Sequence, residues 1–69
     1  MNYDYAKYAG ETLRRLIKEN GYTQEEFAFK FGCDVRTLNR YINEGINSIS
    51  VLQELVNIFQ VKSGTFFPD

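Results

Sequence analysis

Thr23-Gln24-Glu25-Glu26-Phe27-Ala28-Phe29-Lys30-Phe31-Gly32-Cys33-Asp34-Val35-Arg36-Thr37-Leu38-Asn39-Arg40-Tyr41-Ile42-Asn43 reads as two short helices joined by a tight turn. Thr23 is the N-cap of the first. Glu26, three positions on, completes a capping box, in which a hydroxyl and a carboxylate satisfy two otherwise orphaned N–H groups. Tyr22 and Phe27 flank this start as a hydrophobic staple. Phe27, Ala28 and Phe31 form the inward stripe, and Gly32 ends the helix after about two turns. Asp34 caps the next helix, which is predicted over Val35 to Asn43 and closed by Gly45. Leu38, Tyr41 and Ile42 share one side of it, with Val35 at the edge. Arg36, Asn39, Arg40 and Asn43 share the other. Ala28 lets the two axes approach closely, and Gly32 supplies a turn that needs positive φ.

The same periodicity extends outward in both directions. Ala6, Ala9, Leu13, Leu16 and Ile17 recur at three- and four-residue spacing, which predicts a helix from about Tyr5 to Asn20. Gly21 follows as its stop. A fourth helix is capped by Ser48 or Ser50 and ends near Phe59, with Ile49, Leu52, Leu55, Val56 and Phe59 on one face. Ser50 with Gln53 would make a second capping box. The tail from Lys62 to Phe67 holds one short turn capped by Ser63 and stopped by Pro68. No strand alternation appears, so the fold class is all-α, a compact bundle of four to five helices. The predicted core is Leu13, Leu16, Phe27, Ala28, Phe31, Leu38, Tyr41, Leu52, Leu55, Val56 and Phe59. Tyr3, Tyr5 and Tyr8 read as extra packing on the first helix. Phe66 and Phe67 close the core, line a dimer seam, or do both.

Composition bounds what such a bundle does. With 69 residues the expectation is a single domain, 1–69, with its central pair of helices at about 23–43. A chain of this length buries only about 60% of its unfolded surface, so it needs efficient packing or a partner. Its 43% hydrophobic and 16% aromatic content supplies a core and excludes disorder. The single cysteine, Cys33, makes no intrachain bridge. It reads as an inward core thiol in a reducing cytosol. Met1 to Gly10 contains no apolar segment typical of a secretion signal, and no run approaches the roughly 18 apolar residues of a membrane span. The expected location is therefore cytoplasmic, with no membrane partner. There is no histidine, no metal-ligand cluster and no paired carboxylate. No enzyme, metal or cofactor chemistry is expected.

Net charge is −1 and pI about 5.3, whereas nucleic-acid-binding domains often exceed about 9. The distribution therefore decides. Arg36 and Arg40 lie four apart on the outward side of the third helix, with acids only at its ends, Asp34 and Glu44. Arginine contacts guanine at two points, and asparagine contacts adenine likewise, in the major groove. Arg14, Arg15 and Lys18 read as a solvated face.

The order of small residue, glycine and two inward apolar residues (Ala28, Gly32, Leu38, Tyr41) is a helix-turn-helix signature. With Gly21-Tyr22-Thr23-Gln24, Phe31 to Asp34, Thr37 to Tyr41, Gly10, Leu13, Leu16, Leu52 to Val61 and Phe66-Phe67, the chain resembles the Cro and lambda-repressor type family, often called XRE, over about residues 9–67. The resemblance implies a lambda-repressor-like fold. It also implies a sequence-specific, DNA-binding transcriptional regulator, a probable repressor, with double-stranded DNA as partner. It assigns phosphate contact to Thr23 and Gln24 and base reading to Val35, Arg36, Asn39 and Arg40. Asn43, Gly45 and the loop to Ser48 become a second phosphate segment. It implies a homodimer, at least on DNA, built from Leu52 to Phe67. Three positions depart from the family. Glu44 stands where lysine or arginine is common, and Ile17 with Ile42 replaces an ion pair, a swap that keeps packing. The alternative expectation is a protein-interaction module of the same fold, antirepressor or antitoxin in type, with a protein partner and weak specific DNA affinity.

Overall fold

The computed structural model describes residues 4–67. Tyr3 and Pro68, which the sequence reading used, lie outside them. Helices α1 (Tyr5–Glu19), α2 (Gln24–Phe31), α3 (Val35–Glu44) and α4 (Ile49–Phe59) follow in order, and a 3-10 turn, Ser63–Phe66, closes the chain. The architecture is all-α and lambda-repressor-like, as expected.

The caps explain the boundaries. Thr23 Oγ1 accepts from the Glu26 N–H at 3.1 Å, and the Thr23 N–H donates to Glu26 Oε1 at 2.8 Å. The capping box is therefore complete. The staple forms too: the Tyr22 and Phe27 rings meet edge-to-face, 5.6 Å between centroids. Asp34 accepts from the Thr37 N–H at 2.9 Å. At the fourth helix Ser48 is the cap, accepting from the Val51 N–H. Ser50 instead lies inside α4, its hydroxyl 2.9 Å from that of Ser48, so the Ser50–Gln53 box does not form. Ser63 is the first residue of the 3-10 turn rather than its cap; Lys62 precedes the turn and gives no side-chain bond. Asp4 caps α1 through the Lys7 N–H at 3.0 Å, a role the sequence reading passed over.

Between α2 and α3 the chain reverses at Gly32, whose φ of 93° is a left-handed conformation that a side chain would resist. The Gly32 and Cys33 N–H groups both donate to the Ala28 carbonyl, at 2.9 and 3.0 Å. This ties the turn to the end of α2. Helices α1 and α3 also meet backbone to backbone, at Gly10. A Cβ on Gly10 would stand 2.5 Å from the Tyr41 carbonyl oxygen and 2.8 Å from that of Ile42. Glycine is what lets the two backbones touch there.

Phe27 is the hub of the core. It is fully buried and stacks on Phe59 at 5.0 Å and on Phe31 at 6.0 Å. Full burial of such a ring contributes about 1.5–3 kcal/mol. Leu13, Leu16, Ala28, Leu38, Leu52 and Leu55 are buried with it, while Phe31, Tyr41, Val56 and Phe59 pack against the cluster and remain partly exposed. Ile17 and Ile42 are both buried in the same cluster, consistent with an apolar replacement for an ion pair. Phe66 is buried and Phe67 is exposed, so the terminal pair divides its work. Tyr5 is exposed and Tyr8 half-buried. Ile46 joins the core at 3% exposure, and its N–H donates to the Ala6 carbonyl at 2.9 Å. The loop after α3 is thereby pinned to α1. Among the described residues, no helix is long and apolar enough to cross a membrane.

Candidate nucleic-acid interface

Helix α3 is held from behind by Leu38 and Ile42, both buried. At 3.6 residues per turn this leaves positions 36, 40 and 43 facing away from the core. Arg36, Arg40 and Asn43 are indeed exposed, and Asn39 is half-buried at the edge. These four side chains line one shallow depression. Among the described residues the ion pair formed is Arg15 to Glu19, 3.7 Å apart on α1. Both guanidinium groups of α3 keep their donors for an external acceptor. Val35 is half-buried and packs against the core, so it gives the surface little more than an edge.

Glu44 shares that depression. The sequence reading ended the helix at Asn43, but α3 runs one residue further, which carries the Glu44 carboxylate round to the side of Arg40. An acid in this place opposes a polyanion. At the other end Asp34 is fixed as the cap. Hydrogen bonding from the Thr37 side chain and then its backbone holds the Asp34 carboxyl below the usual carboxylate range, with the Arg36 charge a smaller contribution. It is ionised at neutral pH and favourable for the helix dipole.

The other expected contact residues lie elsewhere. Thr23 is exposed and Gln24 half-buried at the start of α2, and neither lines the depression of α3. The N-terminus of α2 already carries the Glu26 carboxylate on the Thr23 N–H. That carboxylate occupies the position an incoming phosphate would take from this donor. In the loop after α3, the Gly45 N–H is bonded to the Tyr41 carbonyl and that of Ile46 to Ala6. These two groups are committed within the fold, so only Asn47 and Ser48 stand exposed there. Cys33 is half-buried, and burial followed by the adjacent Asp34 charge pushes its thiol up from the ordinary value. The thiolate is disfavoured, as for a structural cysteine. No group of three His, Cys, Asp or Glu side chains that could hold a metal ion occurs among the described residues.

The comparisons with known proteins agree with this geometry. A family sequence model described as helix-turn-helix matches residues 13–66. The solution structure of the SOS-response transcriptional repressor LexA from Eubacterium rectale superposes with a TM-score of 0.80 at 25% identity, covering 100% of this chain and 76% of that one. The restriction-modification controller protein C.AhdI from Aeromonas hydrophila gives 0.73 at 24% identity, covering 88% and 94%. The DNA-binding domain of BldD gives 0.79 at 21%, covering 99% and 100%. The last two speak for the fold alone. No curated protein matches the sequence.

Proposed function

The chain belongs to the Cro and lambda-repressor type (XRE) helix-turn-helix family, and from that premise we propose that it is a DNA-binding transcriptional regulator that reads the major groove with α3. The observation that carries this reading is the gathering of Arg36, Asn39, Arg40 and Asn43 on the solvent side of a helix whose other side is core. Arg36 and Arg40 are the base-reading pair, each suited to the two acceptors of guanine. Asn39 and Asn43 extend the reading surface on one side. Thr23 and Gln24 take a positioning role at the phosphates, weakened by Glu25 and Glu26 beside them. Repression follows from occupancy: a domain seated in the groove excludes other proteins from that stretch.

On DNA the reading unit is a pair of chains. A single α3 spans only a few base pairs, and an acidic chain gains little from non-specific attraction. Pairing makes the second contact intramolecular and raises avidity. Ile49, Leu52 and Val56 of α4, with Phe67, line an apolar groove. Ile49 and Phe67 are 70% and 43% exposed there, which suits a two-fold seam. The test is anisotropy of labelled duplexes at fixed salt. Arg36→Ala or Arg40→Ala is expected to cost about 1–3 kcal/mol on the preferred sequence and to relax preference. Unchanged affinity in both variants would remove α3 as the reader and favour the protein-interaction reading.

A further inference from the structure

Four of the chain's eight basic residues, Lys7, Arg14, Arg15 and Lys18, lie on α1, against two acids, Glu11 and Glu19. With α3 it is one of two helices carrying net positive charge, and these two pack directly on each other. The buried face of α1 holds Gly10 and Ile17 on the side toward α3. At 100° per residue, Lys7, Arg14 and Lys18 fall together just outside that edge. All three are exposed. Lys7, Glu11 and Arg14 line a depression with Ile42 and Asn43 of α3, and Asn43 also lines the one holding Arg36 and Arg40. The surface therefore runs without interruption from the reading face across Asn43 onto α1. Arg15 lies further round α1, in a depression it shares with Glu11, Arg14 and Lys18, and is held by Glu19 at 3.7 Å.

We propose that Lys7, Arg14 and Lys18 form a phosphate-contacting edge for the backbone of the same duplex that α3 reads. This rests on the DNA-binding reading of α3 and deepens it. Lys7 and Arg14 are about 10 Å apart along the axis, and Lys18 about 6 Å further, a row suited to an extended polyanion. The need for such a row is visible in the fold. The Gly45 and Ile46 N–H groups are bonded internally, Glu44 is acidic, and the first N–H of the α2 start faces its own glutamate. The positive charge these segments would otherwise supply sits on α1. Glu11, inside the row, tempers it.

The experiment measures duplex affinity against salt for the full chain, with Lys7→Gln/Arg14→Gln as the test and Lys30→Gln as the control, an exposed basic residue on α2 that lines neither depression. Each lost phosphate contact should make the slope of log K against log salt shallower by about 0.9. The double variant should therefore lose close to two units of slope for each bound chain and bind all sequences more weakly by a common factor, with sequence preference intact. Lys30→Gln should leave the slope nearly as it was, and Glu11→Gln should tighten binding. Circular dichroism melts establish that the variants remain folded. An unchanged slope in the double variant, or an equal change for each residue removed in Lys30→Gln, overturns the edge while leaving the reading by α3 standing. If the unaltered chain binds no duplex at all, both fall.

Discussion

Gly10 sets two effects against each other. Alanine there gains about 1 kcal/mol of helix propensity, but its Cβ would meet backbone oxygens at 2.5 and 2.8 Å. Backbone has no rotamer to escape into, and shifting α1 off α3 costs about 1–3 kcal/mol. Gly10→Ala is expected to lower the melting temperature; a rise would mean that the two helices do not meet there. Leu38→Ala removes a fully buried side chain behind the reading face and is expected to cost about 2–5 kcal/mol, measured by urea unfolding. Glu44→Gln takes a carboxylate from beside Arg40 and should tighten DNA binding at low salt, with the gain shrinking as salt rises. The Asp34 carboxyl is more acidic folded than unfolded. Its contribution is thus present above the ordinary carboxylate range and lost as pH falls through the folded value. An acid titration of stability should show a step in that region that Asp34→Asn diminishes.

At the level of elements, Thr23→Ala tests the start of α2, where it removes the Oγ1 arm of the capping box and leaves the arm from the backbone N–H to Glu26. The expected loss is about 1 kcal/mol, read from thermal melts. The four helices were legible in the sequence because each carries apolar residues at helical spacing, and the last three also begin at a recognisable Ser, Thr or Asp cap. The Tyr22–Phe27 staple and the Gly32 turn were legible for the same reason, being local. What escaped was set by tertiary contact. Ile46 stands alone in a polar loop, and only the bond from its N–H to Ala6 makes it core. Ser48 and Ser50 are equivalent as strings, and the bond from the Val51 N–H to Ser48 Oγ decides between them. The base-reading candidates of α3 could be found from periodicity, since one helix generates them all. The α1 row could not, because its meaning depends on which side of α1 faces α3.

For the whole molecule, the acidic overall charge and the basic joint surface of α1 and α3 are compatible because charge is sorted by element. Helices α2 and α4 each carry a net charge of −1, and the caps Asp4 and Asp34 add two further acids. Ile49→Glu should leave each chain folded, since Ile49 is 70% exposed, yet remove two-chain binding in analytical ultracentrifugation with a palindromic site. One chain per site in the unaltered protein would contradict the dimer. Reading of duplex DNA by the outward face of α3 is tested by sequencing-based selection from random duplexes at one fixed salt. The unaltered chain and an Arg36→Ala/Arg40→Ala variant are compared. The unaltered chain is expected to enrich two related half-sites about 34 Å apart, one turn of DNA, and the variant to enrich no such sequence. The same motif from both proteins, or none from the unaltered chain, would contradict reading by α3.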